Sequence, residues 1–262
     1  MTSVFRARGV SVSFGGVRAV AGVDLEIEAG ELVGLIGPNG AGKTTFIDAI
    51  TGFVRSEGTV ELGETTLNGL PPHVRAKRGL ARTWQTVELF DDLTVRENLT
   101  VAAKGGQLSP GGTTPRPPRG PARWKSQDTG QVSASVDEEL KLLDLAAAAD
   151  SMPWELSQAE RKRAGIGRAL VARPRLLCLD EPAAGLDVRQ SKEFGALLPG
   201  IARTGTAVLL VDHDMGLVLS VCDRVVVLES GAVIAQGTPA EIRSDERVVA
   251  AYLGHASAGA SS

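Results

Sequence analysis

Hydrophobic residues along the chain fall into short runs separated by glycine turns. Up to about Leu62 the runs "GVSVSF", "VDLEIEAG", "ELVGLIG" and "GTVELGE" read as strands, with one helix before the last. Near the end, "RLLCLDE", "TAVLLVDHD" and "RVVVLES" are strand signals separated by helical segments. Runs such as "AVLLV", with almost no polar alternation, predict strands covered on both faces. That is the pattern of a parallel sheet with helices on either side, so the fold class is α/β.

Between these halves the pattern breaks. Lys104 to Gln131 holds five of the 13 prolines and no periodic apolar positions, which predicts an exposed, mobile loop over 104–131. Arg116, Arg119, Arg123 and Lys125 make it locally basic, fitting either simple solvation or a weak contact with anionic lipid. From Val132, "VSASVDEELKLLDL" spaces Val136, Leu140 and Leu143 as one helix face. The expected organisation is a single domain over 1–262, with an α/β body of about 1–94 and 173–254 and an inserted helical subdomain of about 95–172. The small polar tail 255–262, "HASAGASS", is expected to fray.

Composition narrows the function. A chain of 262 residues with 43% hydrophobic content can bury roughly 70 to 75% of its unfolded surface. A formal net charge of −3 lacks the basic excess that phosphate-backbone binding exploits, so no nucleic-acid partner is expected. Cys178 and Cys222 each sit in an apolar stretch, as buried thiols of a reducing compartment do. No run approaches the roughly 18 apolar residues of a membrane span, so any span must come from another chain.

The chemistry lies in four places. "GPNGAGKTT", Gly37 to Thr45, fits G-x-x-x-x-G-K-[ST] between an apolar strand and a helix. Gly37, Asn39, Gly40 and Gly42 would let backbone N–H groups curl around phosphates, Lys43 would supply a point charge, and Thr44, followed by Thr45, can ligate Mg²⁺. "LLCLDEP" delivers Asp180 and Glu181 at the end of a strand, facing opposite ways, the first suited to Mg²⁺ and the second to polarising a water. "VLLVDHD" presents His213 at the same sheet edge, where it can hydrogen-bond a γ-phosphate, and Gln85 follows a short strand within reach of Mg²⁺ and water.

Together these elements resemble the ATP-binding subunit of ABC transporters, from about Val4 to Gly254 in order. The resemblance implies a P-loop NTPase fold of ABC type, with a mainly parallel core sheet, an antiparallel β subdomain and an inserted helical subdomain. It makes Gln85 the Q-loop residue, "AGLD" the D-loop with Asp187, His213 the switch histidine, and Phe14 an adenine-stacking residue, although that phenyl group also suits a core. It implies ATP and Mg²⁺ as cofactors and a homo- or heterodimer with a second ATP-binding subunit. Transmembrane permease subunits, an extracytoplasmic solute-binding protein acting indirectly, and a position on the cytoplasmic face of the cell membrane are implied too.

The wording "GLARTWQTVELFDDLTVRENL" and the ending "RVVAAYLG" look like the branched-chain amino acid importers, with urea and amide importers and the lipopolysaccharide export ATPase also similar. In that likeness Val87, Leu89, Phe90, Leu93 and Val95 belong either to a groove receiving a permease helix or to ordinary core.

The family signature, normally Leu-Ser-Gly-Gly-Gln, is "LSQAE" here, Leu156 to Glu160. Ser157 would contact the γ-phosphate held by the partner subunit. The same residues form the capping box S-x-x-E, which explains a helix start without a ligand. Ala159 stands where glycine lets backbone meet phosphate, so the clamp is expected to work weakly. Gly165 and Gly167 imply a softer helix or a tight packing point. A non-hydrolysing regulatory nucleotide-binding module is the competing function. Glu181, Gln85 and His213 favour hydrolysis.

Overall fold

Alternation of burial builds the first sheet. In β1 (Ser3–Phe14), β2 (Val17–Glu28) and β4 (Glu57–Leu62), the residues Phe5, Ala7, Leu25, Ile27, Val60 and Leu62 point inward and are fully buried or nearly so. Their neighbours Arg6, Glu26 and Glu61 point outward and pair with one another, with Arg6 Nε donating to Glu26 at 2.7 Å. The strands run antiparallel in the order β2-β1-β4-β5, where β5 is Thr65–Thr66. The computed structural model describes residues 3–84, 89–106 and 129–258.

Continuous burial builds the second sheet. β3 (Leu32–Ile36), β7 (Leu176–Asp180) and β8 (Ala207–Val211) are buried at every position, as strands covered on both faces must be. With β6 (Leu80–Thr83), β9 (Arg224–Glu229) and β10 (Ala232–Gly237) they form the order β10-β9-β3-β8-β7-β6. All neighbours pair parallel except β10, which lies antiparallel on β9. Helix α1 (Lys43–Thr51) inserts Phe46, Ile47 and Ile50 into a core shared with both sheets. α2 (Pro72–Lys77) sends Arg75 back to the end of α1, where Nη1 donates to Ala49 O at 3.0 Å and Ile50 O at 2.7 Å. These are carbonyls of the last helical turn, and although Ala49 O also accepts from Gly52 N at 3.2 Å, the buried guanidinium takes the role of a cap. Glycine is required beside it: Gly52 has φ 87, and a Cβ there would stand 2.7 Å from Arg75 Nε.

The chain forms two compact units, one of residues 1–87 with 173–262 and one of residues 88–172. The second unit is helical, with α3 (Val95–Gly106), α4 (Thr129–Leu142) and α5 (Gln158–Leu170) burying Leu99, Val136, Leu140, Leu143, Ala164 and Ile166. Gly167 is a packing point, because a Cβ there would lie 3.0 Å from Leu143 and 3.1 Å from Leu99. The roughly 1 kcal/mol that glycine costs a helix interior is therefore offset by close approach of three elements.

One expectation changes. The ends of the proline-rich segment are helical, since 104–106 close α3 and 129–131 open α4; the remainder, 107–128, lies outside the described residues. In α6 (Val188–Gly195), α7 (Leu198–Arg203), α8 (Met215–Val221), α9 (Pro239–Ser244) and α10 (Glu246–Ala258), the last helix carries the chain through 258, and 259–262 lie outside the described residues. Among the described residues no helix is long and apolar enough to cross a membrane.

Both cysteines are buried thiols. Burial pushes the Cys178 thiol up to about 12 and raises the Cys222 thiol as well. Because thiolate is the reactive form, iodoacetamide at mildly alkaline pH is expected to label neither cysteine in the native protein and both in guanidinium chloride. Mass spectrometry reads the result, and rapid native labelling of either residue would contradict the burial.

Candidate functional site

Four parallel strands, β3, β8, β7 and β6, lie side by side with aligned registers, Leu35 opposite Val211, Val211 opposite Asp180, and Leu179 opposite Thr83. Their carboxyl ends therefore open on one edge, where open α/β sheets bind ligands. β3 leads into the glycine loop, β7 ends at Asp180 and Glu181, and β8 ends at Asp212 and His213. Gln85 and the adjoining residues 86–88 lie outside the described residues.

The glycine loop is shaped for a close ligand. Gly37, Gly40 and Gly42 all have positive φ, at 153, 80 and 99°. A Cβ on Gly37 would lie 2.1 Å from Leu228 O and one on Gly42 2.4 Å from Ala19 O, so no other residue fits either place. Gly42 is the N-cap of α1 and supplies no side-chain cap, which leaves the first-turn N–H groups for an anion. Lys43 Nζ donates to Gly37 O at 2.7 Å and Pro38 O at 3.1 Å, holding the ammonium within the loop. Burial pushes its pKa down, against the opposing pull of Glu181, Asp180 and Asp212. Asn39 and Thr44 are exposed at the mouth of the loop and Thr45 is half-buried.

The carboxylates stand in unlike environments. Asp180 is buried and accepts from Arg82 Nη2 at 2.8 Å. Glu181 adopts φ 46, a left-handed backbone that side-chain-bearing residues seldom hold, fixed by its N–H donating to Val211 O at 2.7 Å. His213 is mostly exposed, with Nδ1 3.7 Å from Glu181 Oε1 and 3.6 Å from Asp212 Oδ1. Asp212 is 1% exposed; its Oδ1 accepts from Asp214 N at 3.0 Å, and its Oδ2 has no hydrogen-bond partner among the described residues. A glycine cradle with an ammonium, a hydroxyl at the helix start and a buried carboxylate opposite suits a nucleotide triphosphate with its divalent cation.

The model of the family described as "ABC transporter" matches residues 20–184, well over half of the chain. The chain belongs to the ABC transporter family. A second model, "Branched-chain amino acid ATP-binding cassette transporter", matches residues 232–258. This ABC transporter ATPase is 38% identical to the high-affinity branched-chain amino acid transport ATP-binding protein BraF of Pseudomonas aeruginosa, over 97% of the chain and 98% of BraF. It is 41% identical to LivG of Salmonella typhimurium, of the same description, over 95% of the chain and 96% of LivG. The crystallised ADP conformation of an ATP-binding cassette from an ABC transporter superposes with TM-score 0.82 at 27% identity, covering 97% of this chain and all of that one.

The remaining candidate residues of the ABC ATPase are dispersed. Phe14 ends β1 and is half exposed, so it is not core. Asp187 caps α6, accepting from Gln190 N at 2.8 Å, which is a sufficient local reason for an aspartate there. Ser157 belongs to the helical unit and heads α5. Its hydroxyl donates to Glu160 Oε2 at 2.6 Å and accepts from Glu160 N at 3.3 Å, while its N–H donates to the same carboxylate at 2.8 Å. These bonds hold the Glu160 carboxyl below the usual carboxylate range. The capping box is thus fully formed.

Of the apolar set near Gln85, Val95 is wholly buried and is core, not groove. Leu89 and Leu93 are half-buried, Phe90 is 44% exposed beneath the Arg168 guanidinium at 4.8 Å, and Val87 lies outside the described residues. Sequence reasoning passed over Arg82, Asp48 and Asp212. The available signal for Arg82 was a charge inside the short strand "LART".

Proposed function

We propose that this subunit binds Mg²⁺·ATP and hydrolyses it to drive import of branched-chain amino acids, as one of two nucleotide-binding subunits on the cytoplasmic face of the membrane. It would dock on transmembrane permease subunits, with an extracytoplasmic solute-binding protein delivering the solute from the other side. The observation that carries the substrate is the end-to-end similarity to BraF and LivG, together with the importer-type match at 232–258.

The roles follow from the site. Backbone N–H groups of 39–45 and Lys43 Nζ receive the β- and γ-phosphates, and the loop carbonyls of Gly37 and Pro38 release the ammonium as they do so. Thr44, Asp180 and Gln85 would hold Mg²⁺, which supplies neutralisation of phosphate charge. Glu181 takes the proton of the attacking water as its oxygen bonds to the γ-phosphorus and the bond to the bridging oxygen breaks. His213 donates a hydrogen bond to a γ-phosphate oxygen, Phe14 offers its exposed ring to adenine, and Ser157 and Asp187 reach the nucleotide of the partner copy.

The test is ATP-driven uptake of leucine into proteoliposomes holding this subunit with its permease subunits. Uptake that requires ATP on the side of this subunit supports the reading, and ATP-driven transport of other solutes with no leucine uptake would refute it. Phe90 offers a second check. With its ring at the surface, Phe90→Asp is expected to cut co-purification with the permease at least about tenfold, the effect of roughly 1.4 kcal/mol, while the melting temperature holds. Undiminished co-purification of the folded variant removes Phe90 from the docking surface.

A further inference from the structure

Arg82 is a buried cation between two carboxylates. It lies on the edge strand β6 with its side chain 5% exposed. Nη2 donates to Asp180 Oδ2 at 2.8 Å and Nη1 to Asp48 Oδ1, so one guanidinium joins the tip of β7 to helix α1. Its face rests on Trp84, 4.2 Å from the ring centroid, and Phe53 meets Trp84 edge-on at 5.0 Å. The two half-exposed rings roof the charge cluster.

The placement of Asp48 gives the cluster its meaning. Asp48 is four residues beyond Thr44 in α1, so the two lie on one face of the helix. Arg82 thereby ties the face that bears the Thr44 hydroxyl to the strand end that bears Asp180. Desolvating the guanidinium and the Asp180 carboxylate makes such a cluster an expensive way to gain stability alone. A planar fork that grips two carboxylates at once instead fixes direction, which a lysine ammonium does not.

We propose that Arg82 is a positioning residue for the Mg²⁺ site: by gripping Asp48 and Asp180 together it sets the separation and direction of the Thr44 hydroxyl and the second Asp180 oxygen. This inference rests on the assignment of Thr44 and Asp180 to Mg²⁺. Partners that orient a metal-binding carboxylate typically account for 10- to 100-fold in metal affinity.

The experiment measures ATP affinity of the full chain by calorimetry, first in EDTA and then at stepped Mg²⁺, for wild type, Asp180→Asn, Arg82→Lys and Asp48→Asn. Asp180→Asn and Arg82→Lys are each expected to raise the half-saturating Mg²⁺ by about tenfold and Asp48→Asn by about threefold. The affinity for ATP in EDTA should stay within about twofold, a split that a merely structural loss would not produce. The near-isosteric Asp48→Asn keeps the test open if Arg82→Lys fails to fold. If Asp180→Asn raises the Mg²⁺ requirement while Arg82→Lys and Asp48→Asn leave it unchanged or lower it, Arg82 does not position the site. If Asp180→Asn also changes nothing, the metal assignment itself fails.

Discussion

Glu181→Gln is expected to lower ATP turnover by about 10²- to 10⁴-fold while leaving ATP affinity close to wild type. The amide keeps the size and the hydrogen-bonding reach of the carboxylate, so the left-handed backbone at φ 46 and the N–H bond to Val211 O need not change. What is lost is the ability to take a proton from water. With chemistry blocked, Mg²⁺·ATP should accumulate in a two-subunit sandwich, which light scattering detects as a doubling of mass. A dimer would mean that the altered signature "LSQAE" still clamps phosphate once Ser157 exchanges its bonds to Glu160 for the ligand. Binding by a protein that stays monomeric would mean that closure needs an intact partner or the permease. Unimpaired turnover would remove Glu181 from the role of base.

Lys43→Met is expected to weaken ATP binding by about 10²-fold or more. A buried ammonium that gives up two carbonyl partners for phosphate oxygens makes charge-assisted hydrogen bonds worth about 1.5 to 3 kcal/mol each, and 1.4 kcal/mol is tenfold in affinity. The substitution also removes the Lys43 donor from Gly37 O and Pro38 O inside the loop, while Pro38 O keeps the Ala41 N–H at 3.1 Å. Adenosine, which has no phosphate, should bind wild type and variant alike. Calorimetric titration of both ligands separates a lost phosphate contact from a collapsed loop, because collapse would weaken the two together.

Contiguity decides how much of this molecule its sequence discloses. The glycine loop is legible because its glycines, lysine and threonine are neighbours in the chain, and β3, β7 and β8 because unbroken apolar runs admit few other placements. The Arg82 cluster is illegible for the opposite reason, since its members lie 34 and 98 residues apart and meet only when β6 pairs with β7. Val95 shows a second limit. Periodicity marks it as apolar but not as facing inward, and burial in the helical unit decides the matter. At 104–106, local glycine chemistry argues for a break, yet α3 continues through it.

The backbone at Glu181 sets two kinds of fitness against each other. A side-chain-bearing residue held at φ 46 carries roughly 1 to 2 kcal/mol of strain that glycine would not, so the residue best suited to the local conformation is one with no carboxylate at all. A laboratory selection that rewarded heat resistance alone would drift toward glycine at this position and breed a sturdier protein without the carboxylate that the proposed activation of water needs.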